Sequence, residues 1–137
     1  MASTQTLDRI RSELIDSGKD TRYKIGAYEF VLNGLDFYIT QIGEKRHVNG
    51  HELSMGLLNF ACKQFGLLSN DVLKYWGITK TDDFGHIVFN MISIGLMSKQ
   101  PEDRVDDFFD VTDVTKFFRE KQYFEMDKNY IKNIKGA

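Results

Sequence analysis

The side chains best suited to chemistry lie near the middle of the chain. His47 and His51 stand four apart, a spacing that can set two imidazoles on one helical face where they share a metal ion, and Glu52 follows directly. A third ligand, Asp36 or His86, would have to arrive from elsewhere in the fold. Asn49 and Gly50 interrupt the pair. Asn49-Gly50-His51-Glu52 reads instead as a capping box, with Asn49 accepting from the helix start and Glu52 reaching back. We therefore expect Glu52 to be a cap and His47 a buried, hydrogen-bonded ring, with His47 and His51 kept only as candidate metal ligands. Cys62 is the one thiol, and it follows Phe60 and Ala61 on an apolar helix. A buried inert side chain fits that setting better than a nucleophile. The acids from Glu102 to Asp113 lack the central glycine and closing glutamate of a calcium loop, so they read as a solvated face. Gly50, Gly56 and Gly66 have neither the spacing nor the strand of a phosphate-binding loop. No catalytic residue, no metal site and no cofactor is assigned.

These residues belong to a chain of 137, enough for a single domain with a sizeable core. Charged residues make up 28% and the net charge is −2, which argues against both disorder and a general affinity for nucleic acid. The charge is uneven: residues 101–120 hold seven acids against three bases, and 121–137 hold two against four. One cysteine excludes an internal disulfide and fits a reducing compartment, so the cytoplasm is the expected location. The first residues lack the layout of a signal peptide, and no apolar run is long enough to span a bilayer. One proline is few, whereas eleven Phe, six Tyr and one Trp are many. Long helices with bulky packing follow from that pairing.

The apolar spacing predicts where those helices fall. Leu7, Ile10, Leu14 and Ile15 give a first helix, capped by Thr4 or Thr6 and stopped by Gly18, with a polar linker closing the segment 1–22. Tyr23, Ala27, Phe30, Val31, Leu35, Tyr38, Ile39 and Ile42 make a long stripe. Gly26 and Gly34 within it imply a close neighbour. Tyr28 and Phe37 lie off the stripe and are expected on a partner surface. After a short extended step at His47-Val48, Leu53, Leu57, Phe60, Ala61 and Phe65 define a helix ended by Gly66. Ser69 or Asn70 caps a shorter one ending at Gly77, and Thr79 or Thr81 caps another that carries Phe84, Val88, Met91 and Ile92 to Gly95. Leu96–Gln100 and Val105–Val111 flank the turn-forming Pro101-Glu102-Asp103-Arg104, which predicts a hairpin over 97–111. Val114, Phe117, Phe118, Lys121 and Phe124 predict a last helix, and 119–137 form the C-terminal helix and tail.

Helix, short helix, glycine turn, helix and hairpin is the order of a winged helix-turn-helix, which residues 50–112 resemble. Asp71-Val72-Leu73-Lys74-Tyr75-Trp76-Gly77-Ile78 matches its second helix and turn, and Thr81 to Met91 takes the recognition-helix place. The expected fold is therefore mostly α with one small β-hairpin, a winged-helix-like core flanked by N- and C-terminal helices, in one domain over 1–137. Thr81-Asp82-Asp83 at the recognition position would repel phosphate, and residues 79–107 hold three bases against six acids.

A broader set of motifs spans residues 23–118: Ala27-Tyr28-Glu29-Phe30-Val31, Arg46-His47-Val48-Asn49-Gly50-His51-Glu52-Leu53, Tyr75-Trp76-Gly77-Ile78, Asp82-Asp83-Phe84-Gly85, Ile87-Val88-Phe89-Asn90 and Gly95-Leu96-Met97. Together they resemble a small bacterial family, the Verruc_Plancto-restricted conserved proteins. That resemblance implies a bacterial cytosolic protein and transfers no activity or catalytic residue. Asp83-Phe84-Gly85 is no kinase element, since the glycine-rich loop and catalytic loop are missing. The expected function is a non-enzymatic protein-binding module, using Tyr28, Phe37, Asp82, Asp83, His86 and Arg104, or self-associating through Leu7, Ile10 and Leu14. The alternatives are a DNA-binding regulator using Lys80, His86, Asn90 and Arg104, and a small metal-dependent enzyme at His47 and His51.

Overall fold

Several helices begin or end on a local signal. A computed structural model describes residues 3–44 and 46–121. Helix α1 (Thr4–Ile10) starts where the Ser3 hydroxyl accepts from the Thr6 N–H at 3.1 Å, and a π-helical stretch over Arg11–Asp16 extends it. Helix α2 spans Ile25–Ile42 and stops at Gly43. Helix α3 (Gly50–Phe65) opens with the Asn49 side chain accepting from the Glu52 N–H at 2.8 Å, half of the expected capping box. A 3₁₀ turn over Gly66–Leu68 leads into α4 (Ser69–Tyr75), and α5 covers Thr81–Ser93. The final helix, α6, runs over 114–121 within the described residues. The predicted place of Phe124 and most of the 119–137 tail lie outside them.

Helices α2 and α3 pair antiparallel, with Tyr38 against Gly56, Gly34 against Leu57 and Phe60, and Phe30 against Phe65. The two glycines of α2 have the close neighbours their cost implied: a Cβ on Gly26 would collide with the Trp76 indole, and one on Gly34 with Leu57. Helix α5 carries fully buried Phe84, Ile87 and Met91 into the centre. Ile10 and Leu14 are fully buried in the same core, so that part of the first helix's apolar face is covered within this chain. The Arg9 guanidinium donates to the Ile94 carbonyl and ties α1 to the end of α5. No helix of the described residues is long and apolar enough to cross a membrane.

The predicted hairpin does not form. The described residues contain no strand, and Val105–Phe108 close into a 3₁₀ turn instead. Two carboxylates explain the difference. Asp103 accepts from the Gln100 N–H at 2.8 Å, and Asp107 accepts from the Arg104 N–H at 2.9 Å. The Gln100 donor is one that a hairpin ladder would have needed, and the Asp107 bond caps the 3₁₀ turn that replaces the returning strand. Phe108 then drops into the core, only 5% exposed, against Gly50 and Gly85. Any Cβ at those glycines would stand 2.9 Å from its side chain. The winged-helix expectation fails with its wing. Helices α4 and α5 and the glycine turn between them do form, but the segment from Val105 to Val111 lies over α5 rather than standing beside it. The Thr81 hydroxyl accepts from the Val111 N–H at 3.1 Å, and Asp82 accepts from the Asp110 N–H at 3.0 Å.

Candidate functional site

Antiparallel α2 and α3, with α5 across them, leave a recess uncovered. Its inner wall is apolar: Leu35 and Ile39 from α2, Leu53 from α3, Val88 and Ile92 from α5, and Phe108 from the 3₁₀ turn. Its rim comes from two irregular segments, 46–50 and 97–107, which bring Arg46, His47, Ser98, Lys99, Asp103 and Arg104. The volume is about 180 Å³. The two rim segments meet where a His47 ring nitrogen, Nε2, stands 2.8 Å from Asp103 Oδ1. His47 is thus hydrogen-bonded as expected, but its side chain is 39% exposed rather than buried.

His51 is exposed on the first turn of α3 and faces a neighbouring depression that it shares with His47, Asn49, Glu102, Asp103 and Asp107. Among the described residues, no three of His, Cys, Asp and Glu form a group able to hold a metal ion. Glu52 does not complete its cap. It takes two donors from the Arg46 guanidinium, one at 3.0 Å, and the Tyr38 hydroxyl at 2.6 Å. Those bonds, Arg46 first, hold its carboxyl down at about 2, and the same carboxylate pushes the Tyr38 phenol up. Cys62 is half-buried on α3.

The proposed contact residues scatter. Tyr28 is fully buried, with its hydroxyl accepting from the Asn90 amide at 3.1 Å. Asn90 also donates to Asp20 at 2.8 Å, and Asp20 pairs with Arg22 at 2.7 Å. Burial pushes the Asp20 carboxyl up, but hydrogen bonds from Arg22 and Asn90 outweigh it and hold the group at about 2. Asp83 is buried as well. It accepts from the Tyr23 hydroxyl at 2.5 Å and from the Thr79 and Lys80 N–H groups at the start of α5. Burial first, and then that carboxylate, push the Tyr23 phenol far up. Asp82 and His86 are half-buried, the His86 ring beside Phe109. Phe37 is half-buried beneath the Lys63 ammonium and lines a groove with Tyr38 and Met55. Arg104 is exposed on the recess rim and pairs with Asp106.

The alternation of burial hid one further feature from sequence reading. Leu67, Leu68 and Tyr75 are 64, 62 and 67% exposed, at the corner where α3 turns into α4. Leu68 and Tyr75 are seven apart, which is the only signal a sequence offers, and it is the same signal that core positions give. Comparison of the chain with family models, with curated proteins and with solved structures gives no match. The resemblance to the Verruc_Plancto-restricted proteins therefore rests on sequence motifs alone.

Proposed function

We propose that this protein is a protein-interaction module whose contact surface is the α3–α4 corner. The observation that carries this reading is the exposure of Leu67, Leu68 and Tyr75 together. Leu68, half-buried Val72 and Tyr75 recur at helical spacing along one side of α4, while fully buried Leu73 anchors the opposite side. The stripe is thus apolar, solvent-facing and held on a fixed element, the form that contact surfaces take. Tyrosine is a favoured anchor in such surfaces, because its broad ring is immobilised at little entropic cost. The Lys24 ammonium lies 4.5 Å from the centre of the Tyr75 ring, and exposed Lys74 adjoins it. Lys24 and Lys74 beside the apolar stripe favour an occupant that is apolar and acidic. The partner is accordingly an amphipathic segment of another protein carrying Glu or Asp beside its apolar side chains. Tyr28 has no part in this surface, since its ring is in the core.

The test is titration of the isotopically labelled protein with a synthetic peptide of Leu and Glu at helical spacing, read by amide chemical shifts. Shifts confined to residues 66–76 and Lys24, and abolished by Leu68→Ser with Tyr75→Ser, are expected. Absence of any shift at ~1 mM peptide overturns the reading, because that bound excludes even weak contact. So does a concentration-dependent dimer that Leu68→Ser dissolves, since the occupant would then be a second copy.

A further inference from the structure

The recess behind the His47–Asp103 pair is separate from the α3–α4 corner and calls for a different kind of occupant. At about 180 Å³ it is slightly larger than cavities of roughly 150 Å³ that take up benzene. A protein side would not enter it; a small molecule would. Ile39, Val88, Ile92 and Phe108 on its inner wall require that the body of the molecule be apolar.

The rim decides the other end of that molecule, and its hydrogen bonds can be accounted for group by group. Both oxygens of Asp103 are engaged, one by the His47 ring and one by the Gln100 N–H. Asp107 holds the Arg104 N–H. The Arg46 guanidinium is shared between Glu52 and Glu44, and Arg104 pairs with Asp106 at 3.4 Å. Lys99 differs from both arginines. Its ammonium reaches only the Gln100 carbonyl, at 3.5 Å, and no carboxylate of the described residues pairs with it. The Ser98 hydroxyl beside it, also on the rim, makes no hydrogen bond within the described residues. One Asp107 oxygen is therefore left as an acceptor, while unspent donor capacity remains on the rim at Ser98, at Lys99 and at the Arg104 nitrogens that Asp106 does not take. A ligand that satisfies it must present acceptors, and a charged acceptor gains most from the ammonium.

We propose that this recess binds a small apolar carboxylate, with its hydrocarbon body against α2, α5 and Phe108 and its carboxylate on Lys99 and Ser98. Asp103 and Asp107 share the rim and repel an anion, so the charge selectivity depends on Lys99. Such a ligand touches both the 46–50 and 97–107 segments and holds them together.

The probe is phenylacetate, compared with 2-phenylethanol and 2-phenylethylamine, which keep the same body and replace the head by a neutral or a cationic one. Binding to the full chain is followed by amide shifts and calorimetry. Phenylacetate is expected to shift Val48, Ile92, Lys99 and Arg104 and to bind about tenfold more tightly than the alcohol, the worth of a hydrogen bond to a charged group. Lys99→Ala is expected to erase that tenfold preference while the alcohol binds as before, which separates loss of the head contact from loss of the cavity. Lys99 is exposed, so the variant keeps its fold. The proposal is overturned if the amine binds more tightly than the acid, if none of the three shifts the recess residues, or if Lys99→Ala leaves the preference intact.

Discussion

Helix α5 separates two polar regions built from the same residue types to opposite ends. On the side that carries Asp83 and Asn90, the polar groups are spent on one another: Asn90 binds Asp20 and Tyr28, Asp20 binds Arg22, and Asp83 binds Tyr23 and two backbone N–H groups. On the side that carries Val88 and Ile92, His47, Asp103, Arg104 and Lys99 ring a recess, and part of their hydrogen-bonding capacity is left over. The first region has been consumed in holding the chain together. The second still has something to offer a ligand. A buried polar group is therefore poor evidence of a site when all its partners are internal.

The sharpest way to break the contrast is Asp83→Ala. It strips the cap from α5 and leaves the buried Tyr23 hydroxyl without its acceptor, so stability should fall by about 3 kcal/mol, as read by urea unfolding. Next comes the pH dependence of Asp20. Its carboxyl titrates at about 2 in the folded protein against an ordinary 3.8. Because the folded value is the lower one, the stabilisation is fully present above about pH 4 and is lost as pH falls towards 2, amounting to about 2 kcal/mol. Asp20→Asn should flatten that slope in acid unfolding curves. The recess side should respond least. His47→Gln removes a partly exposed pair and should cost under about 1 kcal/mol, with urea midpoints as the check. A larger loss there would mean that the rim is structural after all, and the contrast would collapse.

Much of this architecture could be read from residue spacing. The stripes of α2, α3 and α5, the Asn49 cap, and the close contacts at Gly26 and Gly34 all follow from local rules that the fold respects. Tyr28 was misplaced for a specific reason. A single apolar stripe describes a helix with one neighbour, whereas α2 meets α3 and α5 and is also flanked by the N-terminal segment, so a residue off the main stripe is still buried. The hairpin failed because Asp103 and Asp107 satisfied their own loop's N–H groups, a competition that propensity does not register. Asn90, a base-reading donor only under the DNA-binding alternative, serves an aspartate seventy residues earlier in the chain. The convergence of His47 with Asp103, 56 residues apart, is a tertiary event that neither segment announces. Asn49 and Glu52 are read locally, but Glu52 turns to Arg46 because a guanidinium outbids a backbone amide.

The Arg9–Ile94 contact joins residues 85 apart. Arg9 precedes its acceptor by 85 residues in the order of synthesis, so this tie can close only after α5 has been made. A nascent chain stalled before Ile94 therefore lacks the anchor between α1 and the end of α5, and its N-terminal segment is held less firmly than in the finished fold.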